Sequence, residues 1–166
     1  MVKTRLFLMI LILCLSFCPF AWPQSFEARK EEICKNLEDF KLRDLSGKEV
    51  SLKELTRNDS VVFMFWTKWC PACRRSITKL MKKSSKMDAS RIILVNIGEK
   101  KEKVESFLNR FDSNPFTVLL DSESALASDC KVTGIPSFII IDKDGKVEFE
   151  GNYLPRRYEA DLMVKD

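Results

Sequence analysis

The stretch WTKWCPAC (residues 66–73) places two cysteines two residues apart, directly after an apolar run. The run before it, VVFMFW (residues 61–66), is short and rich in β-branched and aromatic residues, which is typical of a strand buried on both faces. From Pro71 to about Met87 the sequence has helical periodicity, with one apolar and one basic face. The cysteine pair is therefore predicted to lie between a buried strand and the first turn of a helix.

This position favours exchange chemistry. The sulfur of Cys70 would face unpaired backbone N–H groups and the positive end of the helix dipole, with Lys68, Arg74 and Arg75 nearby. Both effects favour the thiolate and predict a lowered pKa for Cys70. Cys73, one turn further, is expected to be more buried and less acidic. We therefore predict that Cys70 attacks a partner disulfide and that Cys73 resolves the mixed disulfide.

Two other uses of a CxxC pair have to be weighed. The chain contains no histidine, which removes His-based metal sites, Ser-His and Cys-His pairs and the CxxCH haem motif. We expect no metal, and no cofactor other than the Cys70–Cys73 disulfide itself. A structural disulfide stays open, although a strand-to-helix edge beside two tryptophans suits it poorly. The net charge of +4 is too modest to indicate nucleic-acid binding.

A second feature, TGIPSF (residues 133–138), places Pro136 directly before a buried strand, where proline lacks a donor for the sheet. A cis Ile135–Pro136 bond would make a tight turn and leave the backbone of Ile135 exposed beside the cysteines. Such an edge can pair with an extended substrate chain. We therefore predict Trp69, Pro71, Ile135 and Pro136 as substrate-binding residues. A trans proline in an ordinary loop is the alternative.

The first 24 residues resemble a signal peptide, with Lys3 and Arg5 before the apolar core LFLMILILCLSF (residues 6–17). Three fates stay open: cleavage near Gln24, retention of residues 6–22 as a short membrane anchor, or lipidation of Cys18. In each case the domain, residues 25–166, is expected to be exported. It would be periplasmic, or anchored facing the extracytoplasmic side, where disulfides persist.

The remaining pattern predicts the fold class. Residues 40–55 alternate as two short strands, and further strands are predicted at 91–97, 116–120, 137–142 and 146–151. Helices are predicted at 99–111, after Asp121 through about Cys130, and after Leu154. This order implies parallel strands joined by helical crossovers, plus an antiparallel edge. We expect a three-layer α/β domain with the cysteines at the carboxyl end of a central strand.

At this point FWTKWCPAC (residues 65–73) and GIPSFIIIDKDGKV (residues 134–147) resemble the thioredoxin superfamily. The chain is most similar to its exported TlpA/ResA type, over roughly residues 40–153. The segments that carry this similarity are DFKLRDLSGKEVSLKEL (39–55), VNIGEK (95–100) and VESFLNRFDSNPFTVLLD (104–121). The resemblance implies a thioredoxin-like α/β/α sandwich with a mixed central sheet, an extra N-terminal β-hairpin and a helix-strand insertion.

The resemblance also implies a function. Cys70 would be the nucleophile, Cys73 the resolving thiol and Pro136 the cis-proline of an exported thiol-disulfide oxidoreductase. Relatives of this type often serve cytochrome c maturation, and reductants predominate among them. The implied partners are a substrate protein with a cysteine pair and a membrane or soluble thiol that donates electrons. A disulfide oxidase and a redox-inactive thioredoxin-like binding module are the alternatives. A peroxidase of related fold would need a different cysteine motif.

The chain lacks several residues that the family commonly has near the cysteines. Ser76 and Thr78 stand where relatives commonly have glutamate and proline, and Met64 stands where thioredoxin has a buried acid. Glu99 is then the candidate proton relay for Cys73, because its counterpart in some relatives lies near the active site. The dipeptide between the cysteines is also unusual, so the direction of electron flow stays open, with reduction favoured.

Two further cysteines, Cys34 and Cys130, belong to the predicted domain, whereas Cys14 and Cys18 lie in the leader. Four cysteines in an exported domain allow three pairings. We hypothesise a structural disulfide between Cys34 and Cys130, since some TlpA-like proteins have a comparable link. Two separate free thiols are the alternative.

Overall fold

The structure, a computed structural model, describes residues 33–164. The predicted leader, residues 1–24, and the expectations about its cleavage, anchoring or lipidation lie outside the described residues. Within residues 33–164, no helix has both the length and the apolar character needed to cross a membrane.

A seven-stranded mixed sheet forms the middle layer, in the order β2-β1-β5-β4-β3-β6-β7. Its strands are β1 (Lys41–Asp44), β2 (Glu49–Ser51), β3 (Val61–Trp66), β4 (Ile92–Ile97), β5 (Thr117–Asp121), β6 (Ser137–Ile141) and β7 (Val147–Gly151). Strands β3, β4 and β5 are parallel, and the other neighbours are antiparallel. This is the predicted mixed sheet, in which β1 and β2 form the extra N-terminal hairpin.

Five α-helices accompany the sheet in the described chain. They are α1 (Leu52–Thr56), α2 (Pro71–Lys83), α3 (Lys101–Leu108), α4 (Ala125–Asp129) and α5 (Arg156–Asp161). Helices α2 and α3 follow β3 and β4 and form the crossovers that parallel strands require. The chain order therefore matches the thioredoxin-like fold that the sequence predicts.

The sheet is covered on both faces because β3 and β4 are apolar along nearly their whole length. All six residues of β3 are buried. Its even-numbered side chains pack into one apolar cluster with residues of α2 and α3, and its odd-numbered side chains pack into a second cluster with residues of α1 and α4. Successive side chains of a strand point to opposite faces, so a continuous apolar run builds two cores. The result is the three-layer sandwich.

Several element boundaries differ from the predicted ones. The second predicted strand ends at Ser51, and Leu52–Thr56 is helical, because Leu52 and Thr56 lie one turn apart and both are buried. Helix α2 ends at Lys83 and passes into a 3₁₀ turn (Ser84–Lys86). Helix α3 is shorter than the predicted segment 99–111 at both ends.

The short helix after β5 is held as the sequence predicts, by Asp121. Its carboxylate accepts backbone N–H groups from Leu126 at 3.3 Å and Ala127 at 2.8 Å. Ser124 is the residue that turns the chain into the helix, with a positive φ of 58°. This arrangement satisfies N–H groups at the start of α4 that have no partner inside the helix.

Candidate active site at the carboxyl end of the central strand

The cysteine pair lies where β3 ends and α2 begins. The N–H of Cys70 donates to the carbonyl of Thr67 at 3.3 Å, which turns the chain after the strand. Cys70 is the N-cap residue of α2, and its Sγ accepts the backbone N–H of Cys73 at 3.1 Å. Pro71 occupies the first helical position, where no N–H is needed. The predicted contact between the Cys70 sulfur and the start of the helix is therefore present.

Cys70 and Cys73 are joined by a disulfide. Cys73 is fully buried at 0% exposure, and Cys70 is 5% exposed. Cys73 is more buried than Cys70, as predicted, but the difference in exposure is smaller than expected for a nucleophile at the surface. What distinguishes Cys70 is that it lines a groove, whereas Cys73 does not.

That groove, which we call the cysteine groove, has a volume of about 810 Å³. It is lined by residues 69–72 on one side and by residues of α4 and of the segment 132–135 on the other, with no charged side chain among them. Trp69 forms part of the wall and is 69% exposed. A neutral, partly apolar groove beside the disulfide offers a place for a partner's chain.

The predicted substrate-binding residues divide into two groups. Trp69, Pro71 and Ile135 line the cysteine groove. Pro136 is buried directly before β6 and does not line the groove. The Ile135–Pro136 peptide bond is cis. The carbonyl oxygen of Ile135 lies 3.7 Å from the Sγ of Cys70, so the backbone rather than the proline faces the sulfur.

Glu99, the candidate proton relay, is bonded to the segment that leads into the cysteines. Its Oε2 accepts the backbone N–H of Lys68 at 2.6 Å and the side-chain amide of Asn96 at 2.9 Å. Asn96 is fully buried near the end of β4, opposite Trp66 in the parallel register. We did not single out Asn96 from the sequence, although an asparagine near the end of an apolar strand run was a signal that could have found it.

Three buried polar atoms near the ends of β3 and β4 have no hydrogen-bond partner within the described chain: Trp66 Nε1, Thr67 Oγ1 and Asn96 Oδ1. All three belong to residues at or next to the strand ends that carry the site. Met64 is fully buried in the same apolar cluster as Cys73. The core cluster that contains Cys73 therefore holds an apolar side chain at position 64.

A second disulfide joins Cys34 to Cys130. The N–H of Cys34 also donates to the carbonyl of Asp129 at 3.1 Å, and the side-chain amide of Asn36 donates to the Asp129 carboxylate at 2.7 Å. Cys130 follows α4, and Ala127 of that helix lines the cysteine groove. The N-terminal segment is thus tied to one wall of the groove.

Metal binding has no candidate site in residues 33–164. No group of three or more cysteine, aspartate, glutamate or histidine side chains in that range is arranged to hold an ion.

Comparison with known proteins gives a consistent picture. A family model described as the AhpC/TSA family matches residues 33–150. The thiol-disulfide oxidoreductase ResA of Bacillus subtilis (strain 168) is 30% identical over 151 residues, covering 87% of this chain and 83% of ResA. ResA of Bacillus anthracis is 33% identical over 153 residues, covering 89% and 87%. A secreted disulfide oxidoreductase of Mycobacterium tuberculosis shares the fold, with a TM-score of 0.63 at 21% identity, covering 77% of this chain and 96% of that one.

Proposed function

The chain belongs to the AhpC/TSA family, and from this premise we propose that it reduces disulfides in partner proteins, with Cys70 as the nucleophile and Cys73 as the resolving thiol. Its ResA relatives are thiol-disulfide oxidoreductases, and this protein is an enzyme of that class. The direction of electron flow, the roles of the residues and the compartment are the proposed parts.

One observation supports these roles above the others. The Sγ of Cys70 accepts an N–H at the start of a 13-residue helix and lies at the wall of an open groove. When the disulfide is reduced, the same N–H and the helix dipole stabilise negative charge on that sulfur. Cys73 does not line the groove, and it lies buried inside the first turn of the helix rather than at its N-cap. The pair is therefore built for one attacking and one resolving sulfur.

The proposed reaction proceeds in two steps that balance electrons. The Cys70 thiolate attacks one sulfur of the partner's disulfide, and the partner's other sulfur leaves as a thiolate. Cys73 then loses its proton and attacks the Sγ of Cys70, which releases the partner's second thiol. Two electrons have passed to the partner, and the Cys70–Cys73 disulfide has formed. A membrane or soluble thiol donor returns the pair to the dithiol.

The groove supports recognition of an extended chain. With its carbonyl oxygen beside Cys70, the Ile135 backbone lies where it can pair with a partner strand, and Trp69 can cover the chain from the opposite side. Pro136 contributes by shaping this backbone rather than by contact. For Glu99, the candidate proton relay, the bonds to the Lys68 N–H and the Asn96 amide support a role in positioning the segment that leads into the cysteines.

The compartment and the pathway rest on the sequence. The basic start and apolar core of residues 1–24 support export. The domain would then be periplasmic, or residues 6–22 would anchor it to the membrane, facing the extracytoplasmic side. Two disulfides in the described domain are compatible with an oxidising compartment. The TlpA/ResA resemblance supports a role in cytochrome c maturation, with a cysteine-containing substrate protein as the partner.

A trapping experiment tests this function. The Cys73→Ser variant should stall as a mixed disulfide on Cys70 when the protein is expressed with its leader, and mass spectrometry of the trapped species identifies the partner. A Cys70→Ser, Cys73→Ser double variant is the matched control and should trap nothing. A redox potential near about −270 mV supports a reductant, and one near about −120 mV indicates an oxidase. A protein that never forms the Cys70–Cys73 disulfide is a binding module.

A further inference from the structure

A second groove opens beside the cysteine pair, between α2 and the end of α3, and we call it the basic groove. Its volume is about 590 Å³, and five cationic side chains line it. They are Arg74, Arg75, Lys79, Lys82 and Arg110. No carboxylate belongs to its lining within the described residues.

The basic groove also has an aromatic part. Phe107 and Phe111 line it, with their rings 5.7 Å apart and nearly perpendicular. The guanidinium of Arg110 lies 5.5 Å from the centre of the Phe107 ring. A solvated helix face carries charges on a convex surface, whereas these charges surround a groove that includes the partly buried Phe111, with Phe107 buried beneath it at 2% exposure.

The cations in the basic groove have few anionic partners. In the described part of the chain, no ion pair is formed by Arg74, Arg75, Lys82 or Arg110. Lys79 interacts electrostatically with Glu159, but Glu159 forms its ion pair with Lys83. Like charges three and four residues apart on a helix repel one another by a few tenths of a kcal/mol per pair. An anionic occupant would relieve this repulsion.

The two grooves meet at one residue. Pro71, between the two cysteines, lines both the cysteine groove and the basic groove. A chain that occupies the neutral cysteine groove and crosses the exposed Pro71 can reach the basic groove. From Arg74 to Lys82 the wall is about 12 Å long at the rise of an α-helix. An extended peptide spans that length with about four residues.

We propose that the basic groove binds an acidic segment of about four residues in the partner protein whose disulfide meets Cys70. This inference rests on the proposed function, because it names the chemistry of the same partner. Arginine pairs with carboxylates through two parallel hydrogen bonds, and the partly buried ring of Phe111 offers contact to the apolar parts of the segment. A membrane surface seated on this groove would cover Pro71 and obstruct the cysteine groove, which is why a protein segment is the occupant.

The experiment compares three chromogenic peptide disulfides of equal length. Each has one cysteine joined to 5-thio-2-nitrobenzoate, followed after two residues by four glutamates, four glutamines or four lysines. A second set carries the same residues before the cysteine, since the direction of binding is not fixed. The reduced wild-type protein should react about ten-fold faster with the better acidic peptide than with its glutamine counterpart at low salt. This ratio should fall below about two-fold in ~0.5 M salt.

Matched variants locate the effect. In the variant Lys82→Gln/Arg110→Gln, which removes two of the five groove cations away from the cysteines, the acidic-to-neutral ratio should fall to about four-fold. The control Lys48→Gln/Lys143→Gln removes the same charge from exposed residues near two hairpin turns and should keep the wild-type ratio. An unchanged ratio in the groove variant, or a wild-type ratio near one, overturns the proposal.

Two outcomes separate this inference from the proposed function. If the neutral peptide reacts but acidic and neutral rates are equal, the proposed function stands and the acidic segment is wrong. If no peptide reacts with the reduced protein, the proposed function itself fails. Vesicles of phosphatidylglycerol and phosphatidylcholine supply the remaining arm. Binding to them that disappears only in the groove variant, with a peptide ratio near one, assigns the groove to lipid and overturns the proposal.

Discussion

The two disulfides of this protein differ in their surroundings far more than in their exposure. Cys34 and Cys70 are each 5% exposed, and Cys73 and Cys130 are each 0% exposed. Yet Cys70 begins a helix and lines the cysteine groove, whereas Cys130 follows the last turn of a five-residue helix and neither it nor Cys34 lines that groove. Burial alone therefore does not identify the reactive pair, but the helix end and the groove do.

The two pairs also differ in the length of chain that they close. Three positions separate Cys70 from Cys73, and 96 separate Cys34 from Cys130. The entropy that a cross-link removes from the unfolded chain grows with the length of the closed loop. The short link can open and close at little cost to folding, whereas the long link holds the N-terminal segment against the groove wall. One disulfide suits exchange and the other suits stability.

The largest effect should come from Cys70→Ser. Loss of the attacking sulfur should lower the rate of disulfide reduction by about 10⁴-fold or more, since removing a catalytic nucleophile has an effect of this order. The unfolding midpoint of the variant should stay close to that of a Cys73→Ser control. Turnover of a protein disulfide, with thermal unfolding as the companion measurement, checks both. Residual turnover near the wild-type rate contradicts the assignment.

The double variant Cys34→Ala/Cys130→Ala should show the opposite pattern. Its free energy of unfolding should fall by about 3–5 kcal/mol, from the loss of a long closed loop. Its exchange rate, measured at a temperature where it is folded, should stay within about three-fold of wild type, because Cys70 and α2 are unchanged. Urea unfolding and peptide reduction check the two quantities. If the variant loses exchange activity but keeps its stability, the assignment of Cys34–Cys130 as the structural disulfide is contradicted.

Variants of Glu99 test whether exchange depends on the hydrogen bonds that hold the segment before the cysteines. Glu99→Ala leaves the Lys68 N–H and the Asn96 amide without their shared acceptor, which should lower the exchange rate about ten-fold, the equivalent of one lost charged hydrogen bond. Glu99→Gln keeps an accepting oxygen and should retain most of the rate. The pH profile of the reduced protein is the accompanying readout. Equal losses in the two variants contradict positioning and favour the proton relay.

The smallest effect should come from Glu159, which is paired with Lys83 on the far part of α2. The hydrogen bond from Lys83 is the main reason that the pKa of Glu159 lies below its ordinary value of 4.5. A lowered pKa in the folded state stabilises the protein above the ordinary pKa, and this stability is lost as the pH falls through the lowered value. As the pH falls through the lowered pKa, the free energy of unfolding of the wild type should decrease by about 0.5–1 kcal/mol. The Glu159→Gln variant lacks this contribution at every pH, so its stability should not change for this reason.

Urea unfolding of both proteins at a series of pH values, from neutral to well below the ordinary pKa of Glu159, measures this difference. The Glu159→Gln substitution should leave the exchange rate of the Cys70–Cys73 pair and the Cys34–Cys130 link unchanged. Glu159 belongs to α5 and bonds to Lys83 rather than to residues of the cysteine groove. An altered exchange rate at neutral pH contradicts the separation between this ion pair and the reactive region.

The sequence predicted the parts of the fold that depend on local pattern. The run 61–66, the helix after Pro71 and the strands predicted at 137–142 and 146–151 each carry a strong local signal, and each is present. The short helix Leu52–Thr56 was missed because five residues contain too little periodicity to separate a helix from a strand.

The local sequence predicted the part of the site that depends on one segment, whereas the contacts of Ile135 with Cys70 and of Cys34 with Cys130 were predicted from the proline motif and the family resemblance. The sulfur of Cys70 at a helix end follows from the local sequence, and so does its bond to the Cys73 N–H. Whether Pro136 contacts the groove and where Glu99 binds depend on how separate segments pack, and the local sequence does not determine that. The basic groove needs α2 and the end of α3 side by side. From the sequence, the cations of α2 favoured a solvated helix face, with an acidic partner as the alternative.

The most direct test is a redox titration that follows both pairs at once. The protein is equilibrated in buffers of defined potential, alkylated, and analysed by mass spectrometry of the peptides that contain each cysteine. Cys70 and Cys73 should become reduced between about −120 and −270 mV, the range of exchanging thioredoxin-like pairs. Cys34 and Cys130 should stay joined until below about −300 mV, as structural disulfides do. Reduction of both pairs over the same range, or of Cys34–Cys130 first, contradicts the account.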